Sequence, residues 1–102
     1  MAQRRVFIDK TEIVFMVPVK SKVARYELSA KEIVRIQFDK CTERVFGVFP
    51  KQSEMITIVS GKLGSPIVYK RGANQKFFDE YKRGLEKFAK DNFVTFTDNI
   101  TE

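Results

Sequence analysis

Asn74-Gln75-Lys76-Phe77-Phe78-Asp79-Glu80-Tyr81-Lys82-Arg83-Gly84-Leu85-Glu86-Lys87-Phe88-Ala89-Lys90-Asp91 is the stretch whose reading decides the fold. Phe77, Phe78, Tyr81, Leu85, Phe88 and Ala89 recur at intervals of three and four. That spacing places them on one broad apolar face of a helix. Asn74 is a natural N-cap, and Asn92 a natural stop. Asp79 and Glu80 lie early and Lys87 and Lys90 late, as the helix dipole favours. Asp79 with Arg83 and Glu86 with Lys90 make i,i+4 pairs worth about 0.2–0.5 kcal/mol each. Gly84 costs about 1 kcal/mol relative to Ala inside a helix; close approach of the helix to a sheet accounts for it.

Everything before this helix reads as strands and turns. Ile13-Val14-Phe15-Met16-Val17 is β-branched and aromatic, and Pro18 frays it or places it at an edge. Lys20-Ser21-Lys22 is a polar turn. From Ala24 to Leu28 residues alternate, with Tyr26 and Leu28 on one side. Ser29 and Glu32 have capping-box spacing around a short turn. Ile33 to Phe38 alternates again, which predicts Val34, Ile36 and Phe38 inward and Arg35, Gln37 and Asp39 outward. Arg44 to Pro50 reads as a short strand ending at a turn, with Gly47 as a bend. Met55–Val59 and Ile67–Tyr69 are further strands, separated by a Gly- and Ser-rich loop. After the helix, Phe93 to Thr97 alternates as a last strand or an ordered tail, and Asp98 to Glu102 reads as a loose end. The expected fold class is therefore α+β, mostly β: an antiparallel sheet or open barrel of about six to seven strands, capped by one C-terminal helix.

Composition sets limits on what such a domain does. The 102 residues suit one domain, residues 1–102, with a single core. Ten Phe and no Trp supply apolar area without a polar tip to satisfy. The net charge of +6 is spread along the chain and permits attraction to polyanions or anionic membranes without specifying either. There is no His, which removes imidazole ligands, imidazole acid–base chemistry and the Ser-His and Cys-His dyads. Cys41 is the only cysteine, so no internal disulfide forms. No enzyme activity and no cofactor is expected. Met1-Ala2-Gln3-Arg4-Arg5 carries no apolar signal core and no run is long enough to span a membrane, so a cytoplasmic setting is the expectation.

The order of elements from about Arg5 to Phe96 resembles a pleckstrin-homology-like domain. The similarity lies in the strand pair Ile13–Val17 and Ala24–Leu28, the crossing Leu28-Ser29-Ala30-Lys31-Glu32-Ile33-Val34-Arg35-Ile36 into a third strand, further hairpins, and the closing helix. Tyr26 to Phe38 is similar to the small bacterial members, whose helix is often followed by a short extended tail. The resemblance implies a non-catalytic interaction module. Some members bind phosphoinositides through a basic loop between the first two strands, where this chain has Lys20, Lys22 and Arg25. The family spacing is a basic residue, one residue, then Arg; here two residues separate Lys22 from Arg25. The tryptophan of many eukaryotic closing helices is absent, and Phe77, Tyr81 and Phe88 fill the equivalent place.

Two basic clusters are candidate anion sites. Lys20, Lys22 and Arg25 could hold a phosphate through charge-assisted hydrogen bonds. Lys70 and Arg71 precede the helix, whose first N–H groups could join them. For both, the simpler account is a solvated turn. Gly61 to Gly64 lacks P-loop spacing. Arg44, Phe46 and Phe49 have the residue types of a base-stacking platform, with core or loop anchoring as the simpler account. Asn99-Ile100-Thr101 fits the glycosylation triplet, which without a signal peptide carries no meaning. A protein partner or a second copy of the chain, met at an exposed strand edge near Pro18 or Ile67–Tyr69, is expected ahead of anionic phospholipid. Nucleic acid, suggested by charge alone, is not expected as a partner.

Overall fold

The computed structural model describes residues 4–45 and 47–100. The strands are β1 (Val6–Ile8), β2 (Glu12–Val19), β3 (Lys22–Ser29), β4 (Ile33–Val45), β5 (Phe49–Ser60), β6 (Ile67–Lys70) and β7 (Thr95–Asp98), with the helix α1 (Phe78–Asn92) before the last. They form a three-stranded sheet ordered β1-β2-β3 and a four-stranded sheet ordered β6-β5-β4-β7. The fold is α+β and mostly β, with seven strands, one C-terminal helix and no closed barrel among the described residues. One pairing differs from an all-antiparallel sheet: β7 runs parallel to β4, with Ile36 opposite Phe96. The intervening helix makes that possible, since a parallel neighbour needs a long crossover.

The core lies between the sheets and under α1. Ile13, Phe15 and Leu28 enter it from the smaller sheet, and Ile36, Phe38, Ile56, Ile58 and Tyr69 from the larger. The helix contributes Phe78, Tyr81, Leu85, Phe88 and Ala89, the face read from the sequence, with Phe77 partly buried. Each fully buried large apolar side chain contributes about 1.5–3 kcal/mol of transfer free energy. Gly84 sits where the helix crosses β1: a Cβ there would lie 2.6 Å from Ile8 Cδ1. The helix thus approaches β1 closely at this glycine, and a larger residue there would displace the Ile8 methyl.

Several local expectations are corrected. The helix begins at Phe78, and Asn74 closes a separate 3₁₀ turn over Gly72–Asn74. Asn74 is buried rather than capping: its Nδ2 donates to Lys70 O at 2.9 Å, and its Oδ1 accepts from Arg5 Nη1 at 3.2 Å. Asp79 pairs with Arg71 at 2.8 Å, a guanidinium fork already placed beside it, while Glu86 and Lys90 pair as expected at 3.2 Å. A register shift between Ile33 and Arg35 turns Ile33 into the core and Val34 out to solvent, which reverses Val34 before the alternation resumes at Ile36. Arg44 to Pro50 is no separate strand. It is the end of one long β4–β5 hairpin, in which Pro50 lies opposite Arg44. β2 is the central strand of its sheet, but β1 pairs with it only from Ile13 to Phe15, and β6 is an edge as expected. The tail is tied down as far as Ile100: Asn99 N donates to Phe38 O at 2.9 Å, and Ile100 packs on the core. Phe46 and Thr101, members of the candidate stacking platform and glycosylation triplet, lie outside the described residues.

Candidate functional site

β2 is apolar on both faces. Ile13, Phe15 and Val17 turn towards the core, so the pleat turns Val14, Met16 and Pro18 outward. Cross-strand pairing sets Phe7 beside Val14 on the β1 side, and Arg25 beside Met16 and Val23 beside Pro18 on the β3 side. The result is an exposed apolar strip on the outer face of the three-stranded sheet, with Phe7 47% and Val23 58% accessible.

Two tyrosines open this strip into a groove. At Arg5 and Met16 the β1–β2 ladder keeps one bond, Met16 N to Arg5 O at 2.7 Å. The reciprocal groups are taken by phenols from the core: Arg5 N donates to Tyr81 Oη at 2.7 Å, and Tyr69 Oη donates to Met16 O at 3.0 Å. Tyr69 stacks near Phe15 and lies 6.1 Å from Tyr81, and burial pushes its phenol pKa up, so it stays a neutral donor. Both of these backbone groups are thus satisfied by side chains, and among the described residues β2 has no paired strand on this side beyond Met16. Met16 N faces that edge, so alternation directs the Pro18 nitrogen to the same side. Proline, which has no N–H to leave unpaired, is therefore tolerated there. The groove so formed has a volume of about 510 Å³ and is lined by Arg4, Arg5, Phe7, Met16, Pro18 and Val23.

The arginines at the rim keep donors to spare. Arg4 pairs with Glu80 and lies over the Phe77 ring at 4.9 Å. Arg5 places one nitrogen on Asn74. Arg25 pairs with Glu27 at 2.7 Å, both side chains more than half exposed. Exposed pairs of this kind hold by at most about 1 kcal/mol and open readily.

The sequence-derived sites divide between two places. Lys20, Lys22 and Arg25 lie on the β2–β3 hairpin; Lys20 takes φ 56° in its two-residue turn, and Arg25 stands opposite the groove residue Met16 in register. Lys70 and Arg71 lie at the far end of β6, on the side of Arg5 and Asn74, and do not join the hairpin lysines. Lys70 is exposed. Arg71 is held by Glu54 at 2.5 Å and Asp79 at 2.8 Å, and stacks over Phe78 at 4.5 Å. Its side-chain hydrogen bonds hold the Glu54 and Asp79 carboxyls below their usual range. The helix start that was to join Lys70 and Arg71 has moved on to Phe78.

Sequence reading missed Arg4, Arg5, Phe7, Met16 and Val23 as a group. The available signal was the unbroken run Ile13 to Val17. A continuous apolar strand is either covered on both faces or carries an exposed apolar one. Only the sheet order and register show that the outer face of β2 joins an exposed apolar strip with Phe7 and Val23.

Among the described residues, no group of three or more His, Cys, Asp or Glu side chains is arranged to hold a metal. No helix is long and apolar enough to cross a membrane. No protein-family model, curated protein or solved structure significantly matches the chain.

Proposed function

We propose that this domain is a non-catalytic interaction module of pleckstrin-homology-like plan, and that it grips an extended protein segment in the groove on its three-stranded sheet. The observation that carries the reading is the coincidence of an apolar floor (Phe7, Met16, Pro18, Val23) with Arg4 and Arg5 in the groove lining and Arg25 opposite Met16 on the neighbouring strand. Desolvated apolar contacts give such a site affinity, and arginine forks give it orientation towards carboxylates. The matching segment places Asp or Glu beside one large apolar side chain.

Selection of displayed peptides on the immobilised domain tests this reading. Enriched peptides should carry that pattern and should bind Val23→Glu and Arg25→Ala about 5–30-fold more weakly, the effect of removing an interface anchor. Both positions are exposed, so the fold tolerates the changes. Selected peptides that bind Val23→Glu as well as the parent would refute it.

A second reading has its own observation. Exposed Val19 and Val23 flank Lys20 and Lys22 at the hairpin tip, an arrangement suited to an anionic phospholipid surface. Vesicle binding that is lost on Lys20→Gln/Lys22→Gln, together with failure of the peptide selection, would favour it.

A further inference from the structure

The β4–β5 hairpin outruns its sheet. β7 accompanies β4 only as far as Phe38, and β6 accompanies β5 only from Ile58 to Met55, with one more bond from Arg71 N to Glu54 O. Beyond these points Lys40↔Glu54, Cys41↔Ser53, Thr42↔Gln52, Glu43↔Lys51, Arg44↔Pro50 and Val45↔Phe49 continue as a two-stranded ribbon, with no third strand among the described residues. Six pairs at about 3.3 Å per step give an arm of roughly 17 Å. Cross-strand partners share a face, so Lys40, Thr42, Arg44, Pro50 and Gln52 stand together, and all five are exposed. The arm ends in Val48, 65% accessible, and Phe49, 63%.

The charges on this arm are unequally committed. Glu43 lies on the opposite face and accepts from Ser53 Oγ and Gly72 N. Glu54, at the base, accepts from Arg71 and Lys82. Lys40, Arg44 and Lys51 have no ion pair among the described residues. The free face therefore presents ammonium, guanidinium, hydroxyl and amide groups and no uncompensated carboxylate. These are the groups that meet phosphates and base edges: Lys and Arg pair with guanine, Gln with adenine, and the Thr methyl packs on thymine.

We infer that the β4–β5 arm binds double-stranded DNA, its Lys40–Thr42–Arg44–Gln52 face entering the major groove. A two-stranded ribbon fits a B-form major groove about 12 Å wide, whereas that of A-form RNA is too narrow and deep for side chains to read. Val48 and Phe49 at the tip supply apolar contact where the arm leaves the groove. This surface is separate from the sheet groove, and failure of either reading leaves the other standing.

Fluorescence anisotropy of a short labelled DNA duplex over a salt series tests it. The parent chain should bind at about 50 mM salt and weaken steeply towards 200 mM. Lys40→Gln/Arg44→Gln should lower affinity about tenfold or more and reduce the slope of log K against log salt by about 1 for each charge removed. Lys31→Gln, in the short turn before β4 and far from the arm, should change affinity little. Far-ultraviolet circular dichroism confirms that each variant is folded. No binding at about 50 mM salt, an unchanged slope in the double variant, or equal affinity for an RNA duplex would overturn the proposal.

Discussion

Along β4 and β5 the same two strands serve opposite ends on either side of Phe38 and Glu54. On one side Ile36, Phe38, Ile56 and Ile58 are sealed beneath α1, and Phe96 of β7 meets Phe38 edge-on at 4.9 Å. On the other side the same inward pleat carries Lys40, Thr42, Arg44, Pro50 and Gln52, all in solvent. Strand geometry does not change at the boundary; cover does. The lesson is that a strand's inner face is core only where another layer reaches it, and sequence polarity follows that reach residue by residue.

The largest test sets the two halves against each other. Phe38→Ala should cost about 3–5 kcal/mol by urea denaturation, the range for a buried aromatic truncated in a packed core. Thr42→Ala, two positions beyond Lys40, should stay within about 0.5 kcal/mol. Comparable losses at both positions would erase the distinction between roofed and bare halves.

The boundary itself is predicted to be pH-sensitive. Arg71 holds Glu54, Asp79 and the chain leaving β6 at the point where the helix stops covering the sheet. Hydrogen bonds from Arg71 depress the pKa of both carboxylates in the fold. A depressed carboxylate stabilises fully above its unfolded pKa, and that contribution is lost as pH falls through the folded value. Stability should therefore decline below about pH 4–5. Glu54→Gln should cost about 1 kcal/mol at neutral pH, since both side chains are largely shielded, and should flatten the acid decline. Urea midpoints measured from neutral to acid pH check this; an identical slope in the variant would remove Glu54 from the boundary.

The smallest effect concerns how the roof ends. Phe93 closes α1 at φ 56° and is 95% exposed, a left-handed position that glycine usually fills. Phe93→Gly should raise stability by about 1 kcal/mol, because the strain disappears and no buried area is lost. A lower thermal midpoint would show instead that the Phe93 ring supports the helix end.

Much of the architecture was legible because it is written in local periods. The three-and-four spacing from Phe77 to Ala89 identified the buried helix face, and the alternation from Phe93 to Thr97 marked the segment that forms β7. What escaped were features that depend on distant partners. Asn74 has the composition of a cap, but Arg5 and the Lys70 carbonyl claim its amide. Val34 fits the alternation, but a register shift against β5 turns it out. Of the candidate site residues, Arg25 stands opposite Met16 of the groove, while Arg71 is occupied by carboxylates from β5 and α1.

By itself, the sequence determined a β-rich domain with one amphipathic closing helix, and it withheld imidazole chemistry, because residue type and periodicity act within a few positions along the chain. Tertiary structure alone decided that β2 is central with an apolar strip on its outer face, that Tyr69 and Tyr81 take the backbone groups of Met16 and Arg5, and that the β4–β5 hairpin outruns its cover. Each of those depends on which strand ends first, a comparison between segments far apart in sequence, and no local pattern records it.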